Sequence, residues 1–141
     1  MDIFIQPSEA GVKRLLKASQ LDSSDLTPEH VRHFFGLGPE GELEGVVGLE
    51  LFGAVALLRS LAVVSSRRRT GLGSKLVAHV EDYARNKGIK SLYLLTHTAE
   101  SFFKHRGYQR TGRDDAPTAI RETKEFSEIC PVSSAFMVKH L

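Results

Sequence analysis

The stretch Arg68-Arg69-Thr70-Gly71-Leu72-Gly73-Ser74 stands between an apolar run, Val55 to Val64, and a segment whose apolar residues repeat at helical spacing. Two glycines one residue apart let the backbone turn tightly and bring N–H groups close to an anion. The helix that opens there adds the positive end of its dipole. Arg67, Arg68 and Arg69 add charge-assisted donors. Together these parts suit a pyrophosphate. A dinucleotide fingerprint needs a glycine three residues after Gly73, where Leu76 stands, and a Walker loop needs one five residues before Gly71, where Ser66 stands. The plain alternative is a glycine turn before a helix, carrying a solvated basic run.

Working outward, Leu72, Leu76, Val77, Val80, Tyr83 and Ala84 form one helical stripe. Lys75, Glu81, Asp82 and Arg85 are expected on the opposite, solvated face, and Gly88 sits where a helix ends. Ser91 to Thr96 has strand length, Ala99 to Arg106 reads as a short helix closed by Gly107, and Tyr108 to Gly112 as a strand. Asp114 to Ile129 shows no clear period, and Ser134 to Leu141 makes a last strand. Upstream, Ile3 to Ile5 reads as a strand, and Ser8 caps a helix burying Val12, Leu15 and Leu16. Thr27 and Pro28 open a short helix. His33 to Leu37, Glu42 to Leu51 and Val55 to Val64 suggest an antiparallel meander with tight turns. The order predicts a mixed sheet flanked by helices, an α/β (α+β) architecture.

The 141 residues, 41% hydrophobic and 26% charged, are enough for one domain, 1–141, with a real core. A formal charge of +2 gives no argument for nucleic acid, and the arginine run lacks interleaved aromatics. Leu49 to Val64, broken by Glu50, Arg59 and Ser60, is too polar and short to span a membrane. The single cysteine, Cys130, suits a reducing, cytoplasmic setting and reads either as a nucleophile or as small apolar filler. One thiol makes a poor soft-metal site, so neither a metal nor a metalloid site is expected.

The pattern Arg68-x-x-Gly71-x-Gly73 resembles the Gln/Arg-x-x-Gly-x-Gly/Ala signature of the GNAT acetyltransferases. Leu61-Ala62-Val63 precedes it as that family's fourth strand does, and Ala99-x-x-Phe102-Phe103-x-x-x-Gly107-Tyr108 follows the family's Ala-x-x-Phe-Tyr-x-x-x-Gly-Phe segment. The resemblance implies a twisted, mostly antiparallel sheet of about seven strands, splayed between strands four and five. It implies acetyl-CoA as cosubstrate and direct attack by a small amine in a ternary complex. Leu61, Ala62, Val63, Thr96 and Phe103 would line the acetyl-pantetheine arm, and Arg68, Arg69, Thr70, Gly71, Leu72, Gly73 and Ser74 would hold the pyrophosphate. It allows a homodimer. Leu58-Arg59-Ser60-Leu61-Ala62-Val63, Leu95-Thr96-x-Thr98-Ala99, Ala116-Pro117, Thr123-x-Glu125-Phe126 and Cys130-Pro131-x-Ser133 further resemble small GNAT proteins encoded near bacterial arsenic-resistance genes.

Two departures from the family bear on chemistry. Thr96 stands where an Asn is frequent, and Phe103 replaces the Tyr credited with protonating the thiolate. The second departure keeps open a non-catalytic, CoA-binding or regulatory module. Glu50 is a candidate base in an apolar strand, or an outward-facing carboxylate. His97, after the fifth strand, is a second candidate or a loop histidine. Arg59, inside an apolar run, either docks the carboxylate of an amino-acid-like acceptor or pairs structurally with Glu50. Arg113 and Arg121 flank a segment where GNAT proteins build acceptor pockets, or are plain surface arginines.

Overall fold

The computed structural model describes residues 2–129 and 134–141; the expectations on Cys130, Pro131 and Ser133 lie outside the described residues. The strands are β1 Ile3–Ile5, β2 Phe34–Leu37, β3 Gly45–Phe52, β4 Val55–Val63, β5 Ser91–Thr96, β6 Gln109–Arg110 and β7 Ala135–His140. The helices are α1 Glu9–Ala18, α2 Pro28–Val31, α3 Leu72–Asn86, α4 Glu100–Lys104 and α5 Thr118–Arg121. The seven strands form one sheet in the order β1-β2-β3-β4-β5-β7-β6. β4 and β5 are parallel neighbours, while the other adjacent pairs run antiparallel.

Strand alternation sends side chains to two covered faces. Phe35, Val47 and Leu49 pack with Leu76, Val77, Val80 and Ala84 of α3. Phe34 and Val46, one residue earlier, pack instead with Val12, Leu15 and Leu16 of α1 and Val31 of α2. A third cluster joins Leu57 and Phe136 to Ile120 of α5. Burial on both faces explains why these strands read as nearly continuous apolar runs. The caps read from sequence are formed: Ser8 accepts from the Gly11 N–H, and Thr27 from the His30 N–H, with Pro28 at the helix start.

Two features of this sheet shape the site. β4 pairs with β5 only at Val55↔Ser91, Ala56↔Leu92 and Leu57↔Tyr93. Beyond Leu57 the two strands run on without pairing, to Val63 and Thr96. The other side of β4 shows why. Its register with β3 passes from Gly48↔Arg59 to Val46↔Ala62, so β4 spends three residues where β3 spends two. This is a β-bulge, and Ser60 within it lies in the left-handed region at φ 59°. A bulge bends the strand that carries it, here just where β4 leaves β5.

Some expectations need correction. β3 starts at Gly45 rather than Glu42, because Gly38 and Gly41, both at positive φ, prolong the preceding turn. β6 holds only Gln109 and Arg110, paired with Val138 and Met137. The unpatterned segment contains α5 and a π-helical turn, Glu125–Ile129. Glu81 is not on the solvated face of α3. It is buried, where it accepts from the Tyr108 hydroxyl at 2.9 Å and Lys139 Nζ at 3.0 Å. Burial and the Glu81 charge push the Tyr108 hydroxyl well above the usual phenol range.

The Phe34 ring lies across Gly48, its registered partner on β3, where a Cβ would meet ring carbon Cε1 at 2.2 Å. Gly48→Ala is therefore expected to cost about 1–3 kcal/mol by overpacking, read as a lower denaturation midpoint in urea.

Candidate functional site

The gap between the diverging halves of β4 and β5 is an open cleft of about 510 Å³. Leu58, Ser60 and Leu61 of β4 form one wall, and Leu94, Leu95 and Thr96 of β5 the other. Ala99 and Phe103 of the α4 region close one side, and Ser19 to Asp22 form a lip. Arg59, Glu125 and Ser134 also line it.

The glycine loop lies beyond the C-terminal end of β4. Residues 65–71 are exposed. Arg69 at φ 65° and Gly71 at φ 88° both take left-handed backbone, which suits the concave N–H arrangements that hold anions. Gly71 is the N-cap of α3 and supplies no side-chain cap, so the first N–H groups of the helix look outward. The first intrahelical bond runs from the Lys75 N–H to the Gly71 carbonyl. A Cβ at Gly71 would meet nothing within 4 Å, so the space above the loop is open. At Gly73 a Cβ would touch the Phe102 ring at 3.4 Å. Thr70 Oγ1 donates to the Arg67 carbonyl and ties the loop. Arg67 pairs with Glu44 at 2.8 Å, and Arg68 Nε donates to the Val63 carbonyl at 3.2 Å. Leu72 and Ser74 occupy the first turn of α3, and Arg106 Nη2 donates to the Ser74 hydroxyl. Arg106 also lies over the Phe102 ring, 3.7 Å from its centroid, and adds a cation at the loop that sequence reading missed.

In the cleft, Thr96 Oγ1 accepts from the Ala99 N–H at 3.0 Å and so holds the turn into α4. Phe103 is 3% exposed and meets Phe102 and Tyr108 edge-on. It can shape the cleft but has no proton to give. Leu61 and Val63 are partly buried, and Ala62 turns inward against Val46. His97 is exposed on the cleft wall.

Of the two roles expected of Arg59, the geometry matches the structural pairing with Glu50. The Arg59 side chain has no solvent exposure, and five oxygens surround its three nitrogens. Nη1 reaches Asp25 Oδ2 at 2.5 Å and Glu50 Oε2 at 2.9 Å. Nη2 reaches Asp25 Oδ1 at 2.8 Å and Glu125 Oε1 at 2.9 Å, and Nε donates to Ser60 Oγ at 3.1 Å. A guanidinium has five N–H bonds, so this shell uses the whole fork. Burial works against the charge, but the carboxylates outweigh it and hold Arg59 above its ordinary value. Burial likewise opposes the Asp25 charge, and the Arg59 hydrogen bonds and charge overcome it, holding Asp25 below 3.8.

Glu50 belongs to this cluster and faces a second depression of about 350 Å³, shared with Asp25, Thr27, His30 and Lys124. His30 Nε2 is 3.7 Å from Glu50 Oε1, while Nδ1 accepts from the Thr27 N–H. Ligand atoms of Asp25, His30 and Glu50 lie within 4.8 Å of one another, but the cation between the two carboxylates is already the Arg59 guanidinium. Asp25 and Glu125 were missed in the sequence because they stand 34 and 66 positions from Arg59. Arg121 donates to the Ala116 and Asp114 carbonyls, and Arg113 to the Ser134 carbonyl at 3.4 Å, so both brace the segment before β7.

The model of the acetyltransferase (GNAT) family matches residues 3–111, and the chain belongs to that family. It is 30% identical over 102 residues to an amino-acid acetyltransferase of Neisseria meningitidis, covering 71% of this chain and 23% of that protein. The chain thus spans about a quarter of that relative's length. An uncharacterised N-acetyltransferase of Chlorobaculum tepidum is 31% identical over 93 residues, covering 65% and 59% of the two chains. The fold superposes on N-acetylglutamate synthase from Neisseria gonorrhoeae, solved with coenzyme A and L-arginine. The TM-score is 0.81 at 26% identity, over 99% of this chain and 33% of that one.

Removing Arg59 strands three carboxylates. Arg59→Met is expected to destabilise the fold by about 3–5 kcal/mol at neutral pH. Because Asp25 is held low in the folded state, its contribution is complete above 3.8 and fades as pH falls through the lower folded value. The deficit of the variant should therefore shrink in acid, as urea melts at neutral and acidic pH will show.

Proposed function

We propose that the chain is an acetyl-CoA-dependent N-acetyltransferase acting on a small amine, with residues 1–141 forming one catalytic domain. The observation that carries this reading is the conjunction of the open, uncapped glycine loop with the cleft between β4 and β5. Arg68, Arg69, Thr70, Gly71, Leu72, Gly73 and Ser74 would hold the pyrophosphate, with Arg106 beside them. The unpaired edge of β4 at Leu61, Ala62 and Val63 would receive the pantetheine arm. The solved structure of the synthase with coenzyme A supports the same cosubstrate here. When bound, acetyl-CoA supplies a thioester whose acetyl carbon bonds to the amine nitrogen as the C–S bond breaks, with a nitrogen proton ending on the sulfur. The cleft residues orient the two partners, and proximity supplies much of the rate.

The amino-acid names of the relatives support a small amine acceptor. The expected docking of an acceptor carboxylate on Arg59 is not supported, because that fork is already saturated. The same shell argues for a positioning role for Glu50, held against Arg59, rather than for a base in the cleft. The arsenic-linked kinship would make the acceptor a small, amino-acid-like toxic compound; the segment carrying Thr123-x-Glu125-Phe126 supports it only in reaching the cleft through Glu125. A second reading, a CoA-binding module without turnover, draws on the protonless Phe103.

Free-thiol release from acetyl-CoA across an amine panel separates the two readings, turnover with any amine favouring the enzyme. Gly71→Glu should abolish acetyl-CoA binding by calorimetry while the fold persists, and unchanged affinity would remove the loop from the site. Phe103→Leu should lower the rate only modestly. A loss of about a thousandfold, as for an acid–base group, would give Phe103 a larger part than packing.

A further inference from the structure

Asp22 and Glu125 bring carboxylates to the cleft between β4 and β5. Arg59 is the one Lys or Arg among the described residues lining the cleft, and its five N–H bonds are all taken. Asp25, Glu50 and Glu125 all turn carboxylate oxygens toward that guanidinium. Glu125 keeps 12% of its side chain exposed and lines the cleft. Asp22 lies on the cleft lip, its carboxylate held below its ordinary value by hydrogen bonds from Ser24. His97 is the remaining titratable group on the cleft wall.

An independent observation points to the same place. Ser134 is 6% exposed and lines the cleft, and its hydroxyl has no hydrogen-bond partner among the described residues. A buried hydroxyl left unpaired costs free energy unless a ligand completes it. An ammonium group can donate an N–H bond to the Ser134 hydroxyl oxygen, and Glu125 lines the same cleft with a carboxylate of complementary charge. A carboxylate brought to the same cleft meets the like charges of Glu125 and Asp22, and Arg59, the one Lys or Arg among the described lining residues, is already engaged.

We propose that this acetyltransferase recognises its acceptor through a cationic group held by Glu125 and Ser134, and that its preferred acceptors are small diamines or similar cationic amines lacking a carboxylate. The proposal rests on the acetyltransferase reading and specifies its substrate class. It parts from the amino-acid acceptors named for the relatives, and the reason is the saturation of Arg59.

The test uses two acceptors that differ by one carboxylate, 1,5-diaminopentane and lysine. Thiol release should show kcat/KM for the diamine at least about tenfold above that for lysine. Glu125→Gln should lower the diamine value by about tenfold, mainly through KM, and Ser134→Ala should lower it by a smaller factor. Acetyl-CoA affinity of the Gln variant should stay near that of the parent. Equal or better use of lysine, or a Gln variant with parental kinetics, overturns the proposal. Calorimetry of the diamine against the coenzyme A-saturated protein gives a second readout that needs no turnover. Binding lost in Glu125→Gln upholds the cation site, and coenzyme A binding without amine binding overturns it. Failure of coenzyme A itself to bind would instead overturn the reading beneath it.

Discussion

Parallel strands in a sheet ordinarily stay paired along their common length, because an unpaired backbone edge leaves N–H and C=O groups without partners. Here β4 and β5 hold only three registered pairs and then separate. The bulge at Ser60 causes the separation, giving β4 an extra residue against β3 and bending it away. Almost everything of functional interest follows from this departure. It opens a cleft of about 510 Å³, exposes a strand edge with backbone groups to offer, and aims the end of β4 at the glycine loop before α3.

An opened sheet needs another tie, and the Arg59 cluster provides one. It joins β4 to β3 through Glu50, to the loop before α2 through Asp25, and to the π-helical turn through Glu125. Left-handed backbone at a residue with a side chain costs about 1–2 kcal/mol. The Ser60 hydroxyl offsets part of that cost by accepting from Arg59 Nε. The residue that bends the strand thus also helps to satisfy the charge behind it. Charge and fold are coupled at this point, because the guanidinium is consumed by structure.

The legible parts of the sequence were the local ones. Ser8, Thr27 and Pro28 announced their helices, and the spacing from Leu72 to Ala84 announced α3, because caps and periodicity act over a few residues. The loop at Arg68 to Ser74 was legible for the same reason. Glu81 was misread because its partners, Tyr108 and Lys139, come from remote elements that no helical pattern reveals. Arg59 was recognised as costly in an apolar strand, but Glu50 was the only partner near enough in sequence to suspect. Asp25 and Glu125 meet it only once α2 and the segment before β7 have folded over the sheet. The bulge carried no sequence signal, since serine, not glycine, occupies the left-handed position.

The central claim is that the loop and the split strands together form a single acetyl-CoA site. The direct measurement is a backbone amide titration with acetyl-CoA, followed by NMR. The account predicts saturable binding, with the largest shifts on residues 69–74, 58–63 and 94–96, and with β1 and α1 nearly silent. Saturable binding whose shifts cluster elsewhere, or amides at 69–74 that do not respond, would contradict it.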